Sequence, residues 1–107
     1  MATVKWTGRA RAVRRELYVK GIMEYGNYTA LKMARKIEAI ADLLSLFPEL
    51  GYREPSLEAR IPIYRACHIN KRFKIIYWFD EANNDIIIED IWDMRRAPQN
   101  LTKRLTD

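Results

Sequence analysis

Residues 73–79 read Phe-Lys-Ile-Ile-Tyr-Trp-Phe, apolar on both faces of an extended strand except at Lys74. Successive strand side chains point to opposite sides, so such a run is stable only inside a sheet that is covered on both faces. This run is therefore the predicted central strand, and the rest of the chain must supply its neighbours and its cover. Two further runs rich in β-branched and aromatic residues flank it, 61–70 and 85–94. The links Asn70-Lys71-Arg72 and Ala82-Asn83-Asn84 are short enough for hairpins, which makes an antiparallel meander the natural topology. Pro62 places the first run at an edge or delays its start.

The cover comes from the first half. Ala30, Met33, Ala34, Ile37, Ile40, Ala41, Leu44 and Phe47 recur at i, i+3, i+4 spacing and predict a long amphipathic helix closed by Pro48 and Gly51, the latter accepting φ > 0. Upstream, Ala10, Val13, Leu17 and Gly21 predict a shorter, strongly basic helix with Thr7 as N-cap. Tyr25-Gly26-Asn27 separates the two, with Asn27 or Thr29 capping the second, so they should pack antiparallel. Residues 3–7 read as a short strand joining the same sheet, and 49–60 as a polar connector. The expected fold is α+β, in the order β-α-α-β-β-β: two antiparallel helices packed on a mainly antiparallel, twisted sheet.

With 107 residues the chain has room for one domain, with a core over about 3–101 and a tail at 102–107. No window approaches the roughly 18 consecutive apolar residues a membrane span needs. The first ten residues lack an apolar leader and Cys67 is the only cysteine, which together point to a reducing cytoplasm. Nineteen basic residues against 14 acidic ones are arranged in blocks: residues 1–20 hold six bases and one acid, while residues 80–93 hold six acids and no base. A basic surface favours an anionic partner, either a nucleic acid or an acidic protein.

Val4-Lys5-Trp6-Thr7, the Phe47-Pro48-Glu49-Leu50-Gly51 helix stop, Phe73-Lys74-Ile75-Ile76-Tyr77-Trp78 and Ile91-Trp92-Asp93-Met94-Arg95-Arg96-Ala97-Pro98 occur in an order and spacing that resemble the RelE/ParE superfamily of bacterial type II toxins, the plasmid stabilisation system proteins. The resemblance spans about residues 3–101. It implies a toxin neutralised by a cognate antitoxin, with one of two actions: RelE-like cleavage of messenger RNA on the ribosome, or ParE-like binding of DNA gyrase without catalysis.

RNA cleavage needs a base, an acid and cations converging on the phosphate. By position, the resemblance assigns the cations to Arg65, Lys74 and Arg95 or Arg96. Cys67 stands where RNA-cleaving relatives usually carry a second basic residue, and 97–101 lack the Tyr or His those relatives commonly place there. His68, the only histidine, points away from Arg65 and Cys67 on an extended strand, so no titrating companion is expected among the cations. Cys67 has no Cys-His-Asn/Asp signature and reads as a packing residue. One His and one Cys cannot make a zinc site without carboxylates, and strand alternation splits Glu89 and Asp93 from Asp90, leaving the acids as a solvated rim. Neither a metal nor a cofactor is expected.

Trp78 and Trp92 are either platforms for bases or antitoxin, or simply sheet-face packing. Arg11, Arg14 and Arg15 with Arg95 and Arg96 either form one cationic field for a target or antitoxin, or only solubilise. The ending from Asp93 to Pro98 resembles the Asp-x-Arg-x-x-Pro of ParE-like members. The leading expectation is therefore a ParE-like toxin. The alternatives are a RelE-like endonuclease using Arg65, Lys74, Arg95 and Arg96, or an inactive homologue that still binds antitoxin.

Overall fold

The computed structural model describes residues 1–105; Thr106 and Asp107, the end of the predicted tail, lie outside the described residues. Strand β1 (Thr3–Trp6) leads into helices α1 (Gly8–Tyr25) and α2 (Asn27–Leu46). A two-residue strand β2 (Tyr52–Arg53) and a 3-10 turn (Pro55–Leu57) follow. Then come β3 (Arg65–His68), β4 (Phe73–Asp80), β5 (Asp85–Asp93) and helix α3 (Pro98–Arg104). The sheet order is β1-β5-β4-β3-β2, antiparallel except that β1 runs parallel to β5. The α+β class, the β-α-α-β-β-β order and the central place of Phe73–Asp80 are as the sequence predicts.

Thr7 caps α1 as expected: its Oγ1 accepts from the Ala10 amide at 3.1 Å, an arrangement worth about 1 kcal/mol. The turn between the helices is tighter than predicted. Gly26 alone ends α1, its amide donating to Ile22 O at 2.9 Å, and begins α2, so neither Asn27 nor Thr29 caps. Its φ of 90° lies where a side chain would be strained, which is why one residue suffices. Helix α2 buries Ile37, Ile40, Ala41 and Leu44 against one face of the sheet, where Ile75, Tyr77, Ile86, Ile88 and Ile91 meet them.

The opposite face carries a smaller core of Leu57, Ala66, Ile76, Trp92 and Leu101, roofed by the 3-10 turn and α3. The sequence reading treated both roof elements as connector and tail. Full burial of an aliphatic side chain such as Leu101 is worth roughly 1.5–3 kcal/mol, enough to hold a two-turn helix that would not persist alone. The first meander strand begins only at Arg65, past Pro62, and β2 takes the sheet edge beside it.

Gly51 serves a purpose other than a left-handed turn, since Gly26 is the glycine with positive φ. A Cβ at Gly51 would stand 2.6 Å from Ala66 O and 2.8 Å from a ring carbon of Tyr77. The missing side chain lets the Tyr77 hydroxyl accept from the Gly51 amide at 2.9 Å and donate to Pro48 O at 2.8 Å. The loop after α2 is thereby fastened to the central strand.

Candidate functional site

Register sorts the candidate residues by face. On the α3 side, His68 stands opposite Lys74 and Lys74 opposite Trp92. In the next row Tyr52, Ala66, Ile76 and Asp90 follow one another across four strands. Arg65 pairs with Tyr77 and belongs to the other face. The predicted cations Arg65 and Lys74 are thus separated by the sheet itself.

Each cation is also already engaged. Arg65 donates to Gly51 O at 2.9 Å. Lys74 Nζ donates to Glu54 Oε1 in a contact with 13% and 3% of the two side chains exposed. Glu54 Oε2 accepts from the amide and the hydroxyl of Ser56 at 3.1 and 2.8 Å. Burial pushes the Glu54 carboxyl up, but the hydrogen bonds from Lys74 and Ser56 outweigh it and hold the group below the usual carboxylate range.

Arg95 and Arg96 leave β5 in different directions. Arg95 and Arg72 both reach Asp93 Oδ2, at 3.3 and 3.1 Å, while the Arg96 guanidinium lies 4.5 Å from the centre of the Trp92 ring. Burial acts to raise the Asp93 carboxyl, and the bonds from the Arg95 amide and from the Arg95 and Arg72 side chains more than reverse it.

Two expectations need correction. His68 is not set apart from every cation: by register it faces the same side as Lys74, and its Nε2 lies 2.7 Å from the Tyr52 hydroxyl, with the two rings edge to face. Alternation along 61–70 already placed His68 away from Arg65; what the sequence hides is that Lys74 shares its side. The acids are likewise not a solvated rim. Asp85 is 7% exposed and pairs with Lys5 at 2.9 Å, and Asp90 is wholly buried. A bulge after Ile76 leaves Glu89 without a register partner, and its carboxylate accepts from Trp78 Nε1 at 3.1 Å, on the same face as Asp90.

Asp90 anchors α3. Its Oδ1 accepts from the Ile91 amide at 2.9 Å, and Oδ2 lies 2.9 Å from Arg104 Nε without hydrogen-bond alignment. Burial raises its carboxyl above the ordinary range, with Arg104 opposing. Arg60 adds bonds of 2.6 Å to the carbonyls of Thr102 and Leu105.

Trp92 is 2% exposed and fills the small core, so it offers no open ring face to a base; Trp78 is half-buried. Burial raises the Cys67 thiol, as suits a packing residue. Arg11 donates to Trp6 O at 3.1 Å and Arg14 lies 4.2 Å over the Trp6 ring. Arg11, Arg14 and Arg15 border a groove that also includes Arg72, while Arg95 and Arg96 lie outside its lining. Among the described residues no three His, Cys, Asp or Glu side chains are grouped to hold a metal ion, and no helix is long and apolar enough to cross a membrane.

No family model and no curated protein matches the sequence. Solved structures do match the fold. A chain of the chromosomal ParDE toxin–antitoxin system of P. aeruginosa superposes with a TM-score of 0.68 at 22% identity, covering 87% of this chain and 96% of that one. The chain shares the fold of that structure. A metal-bound toxin from Helicobacter pylori gives 0.64 at 12% identity over 89% and 97% of the two chains. The RelBE2 toxin–antitoxin complex of Mycobacterium tuberculosis gives 0.59 at 16% over 86% and 96%. These three structures share the chain's architecture.

Proposed function

We propose that the protein is the toxin of a type II toxin–antitoxin pair, a single domain over 1–107 acting in the cytoplasm. In this reading it is ParE-like: it binds a target such as DNA gyrase, catalyses nothing itself, and is neutralised by a cognate antitoxin. The fold shared with toxin chains supports the general reading. The observation that carries the ParE-like choice is the disposition of the cations. Arg65 and Lys74 lie on opposite faces, Lys74 is neutralised by Glu54, and Arg95 is tied to Asp93. A phosphate in flight between two oxygens needs positive groups aimed at one point, and this set is not aimed.

One observation favours a second reading. The Tyr52–His68 pair beside Lys74 is a proton donor and acceptor in contact on an exposed surface, the equipment a RelE-like ribonuclease requires. Two assays with the purified protein separate the readings: gyrase supercoiling, and messenger RNA cleavage with added ribosomes. Inhibition of supercoiling without cleavage is the expected result. Cleavage that disappears in His68→Ala would overturn the choice of branch. Silence in both assays, with growth unaffected on expression, would make the chain an inactive homologue.

A further inference from the structure

The end of α2 turns apolar side chains outward. Leu43, Leu46 and Phe47 stand at i, i+3 and i+4, and Leu50 follows across the next turn, its amide donating to Phe47 O at 3.0 Å. These four are 44%, 53%, 58% and 48% exposed, while Leu44 and Ser45 among them are buried. Phe47, the last apolar position of the predicted helix, thus faces water instead of the core. The backbone beneath the stripe is fastened to the sheet. Ala2 N donates to Ser45 O at 2.9 Å, the Tyr77 hydroxyl to Pro48 O at 2.8 Å, and Arg65 to Gly51 O at 2.9 Å. A surface fixed in advance spares a partner the entropy of ordering it. The charge around the stripe is opposite to that of the whole molecule. Residues 37–52 contain Glu38, Asp42 and Glu49 and no base, in a chain of net charge +5. All three acids are exposed, and none meets a cation among the described residues.

We infer that this acid-flanked stripe is the surface that meets the protein's target, entering an apolar slot bordered by Lys and Arg on a partner protein. Four large apolar side chains held in water at one place supply the drive, since docking buries them together. The acids decide the occupant. Three carboxylates repel nucleic-acid phosphates and anionic lipid headgroups alike. A second copy docked about a two-fold axis would set the same three acids against each other. An antitoxin that neutralises a chain of net charge +5 is itself acidic, and the flanks of the stripe repel it too. A basic rim is the complement that remains, and proteins that grip nucleic acids carry such rims. The inference rests on the toxin reading above only in naming the partner, which for a ParE-like toxin is DNA gyrase.

The test titrates the full chain onto immobilised DNA gyrase by biolayer interferometry and expresses the same variants, at matched levels, in growing cells. Saturable binding that weakens with salt is expected. Phe47→Ser and the pair Asp42→Lys/Glu49→Lys should each raise Kd about tenfold or more, through lost apolar burial and reversed charge pairing, and should abolish growth arrest. Glu24→Lys/Glu58→Lys makes the same change in net charge at exposed sites on the hairpin tip and beyond the 3-10 turn, and should leave Kd within about twofold. Circular dichroism melts verify that the variants fold. Gyrase binding that ignores the stripe variants overturns the inference and keeps the gyrase reading. No gyrase binding, with growth arrest that the stripe variants abolish, removes gyrase as the target and supports the inference. Growth arrest that survives in those variants overturns it, and so does a wild type that neither binds gyrase nor arrests growth. Self-association, or binding to duplex DNA or phosphatidylglycerol vesicles, that Phe47→Ser abolishes also overturns it, because a different occupant then covers the stripe.

Discussion

Lys74→Met is the most informative single change to the candidate face. It keeps the length and apolar stem of the side chain but leaves the 3%-exposed Glu54 carboxylate with Ser56 as its remaining donor. Breaking a buried pair by removing one partner costs roughly 3–5 kcal/mol; the two Ser56 bonds and the partial exposure of Lys74 put this case near 2–3 kcal/mol at pH 7. At a urea m-value of about 1.2 kcal/mol/M, the midpoint falls by about 2 M. The pH dependence carries a sharper signature. In the wild type the folded Glu54 carboxyl lies below its unfolded value, so its stabilisation is complete above about pH 4.3 and is lost as pH falls through the folded value. Without Lys74 burial is opposed only by the two Ser56 bonds, so the folded carboxyl rises from its wild-type position. Protonation then relieves the stranded charge at a higher pH than in the wild type, and the cost of the mutation shrinks as pH falls into the carboxylate range. The double variant Lys74→Met/Glu54→Leu should return to within about 1 kcal/mol of wild type at pH 7. Urea denaturation at pH 7, 6 and 5 measures all of this. A single variant as stable as wild type, or a penalty that does not change with pH, would refute the idea that Lys74 is consumed by an internal ion pair.

Gly51→Ala should destabilise by about 2–4 kcal/mol, because the new methyl meets Ala66 O at 2.6 Å and displaces the Tyr77 hydroxyl from two bonds. A melting temperature within 2 °C of wild type, where about 10 °C or more of loss is expected, would count against it. Arg104→Met strands the buried Asp90 carboxylate and should cost about 2 kcal/mol, with amide exchange at Leu101 and Leu105 accelerating before the central strands open. His68→Ala and Tyr52→Phe should leave growth arrest and gyrase inhibition within about twofold of wild type, since both side chains sit at the exposed rim and break only one bond to each other. Loss of growth arrest in either, where the wild type leaves gyrase supercoiling untouched, would favour the ribonuclease reading.

The elements that bury long apolar faces were legible in the sequence. Residues 30–47 announce themselves by period, 73–79 by a nearly unbroken apolar run, and Thr7 by its place before a helical pattern. The missed elements are those whose stability is borrowed. Helix α3 holds by Leu101, Arg104 and the Arg60 bonds, partners roughly ten to forty-five residues away, and β2 is two residues of an apparently polar loop made regular by pairing with β3. Glu54 likewise reads as connector polarity until the fold delivers Lys74 to it.

The candidate site was misjudged for a related reason. The sequence supplies the right residue types, but catalysis or binding depends on which face each one occupies, and facing is a property of register. On β3 the alternation sends Arg65 to the helical side and His68 to the α3 side, while the antiparallel pairing with β4 brings Lys74 opposite His68 and not near Arg65. Had the turn at 70–72 been one residue longer, that pairing would shift and a different neighbour would stand opposite Lys74. The bulge after Ile76 does the same on β5, turning Glu89 toward Trp78 and burying Asp90 beneath α3. Charge composition thus limits the class of partner, and the hairpin lengths decide whether those charges act together. In this chain they leave the sheet face largely self-neutralised, while Arg11 and Arg14 on the helical hairpin meet Trp6 and no carboxylate among the described residues.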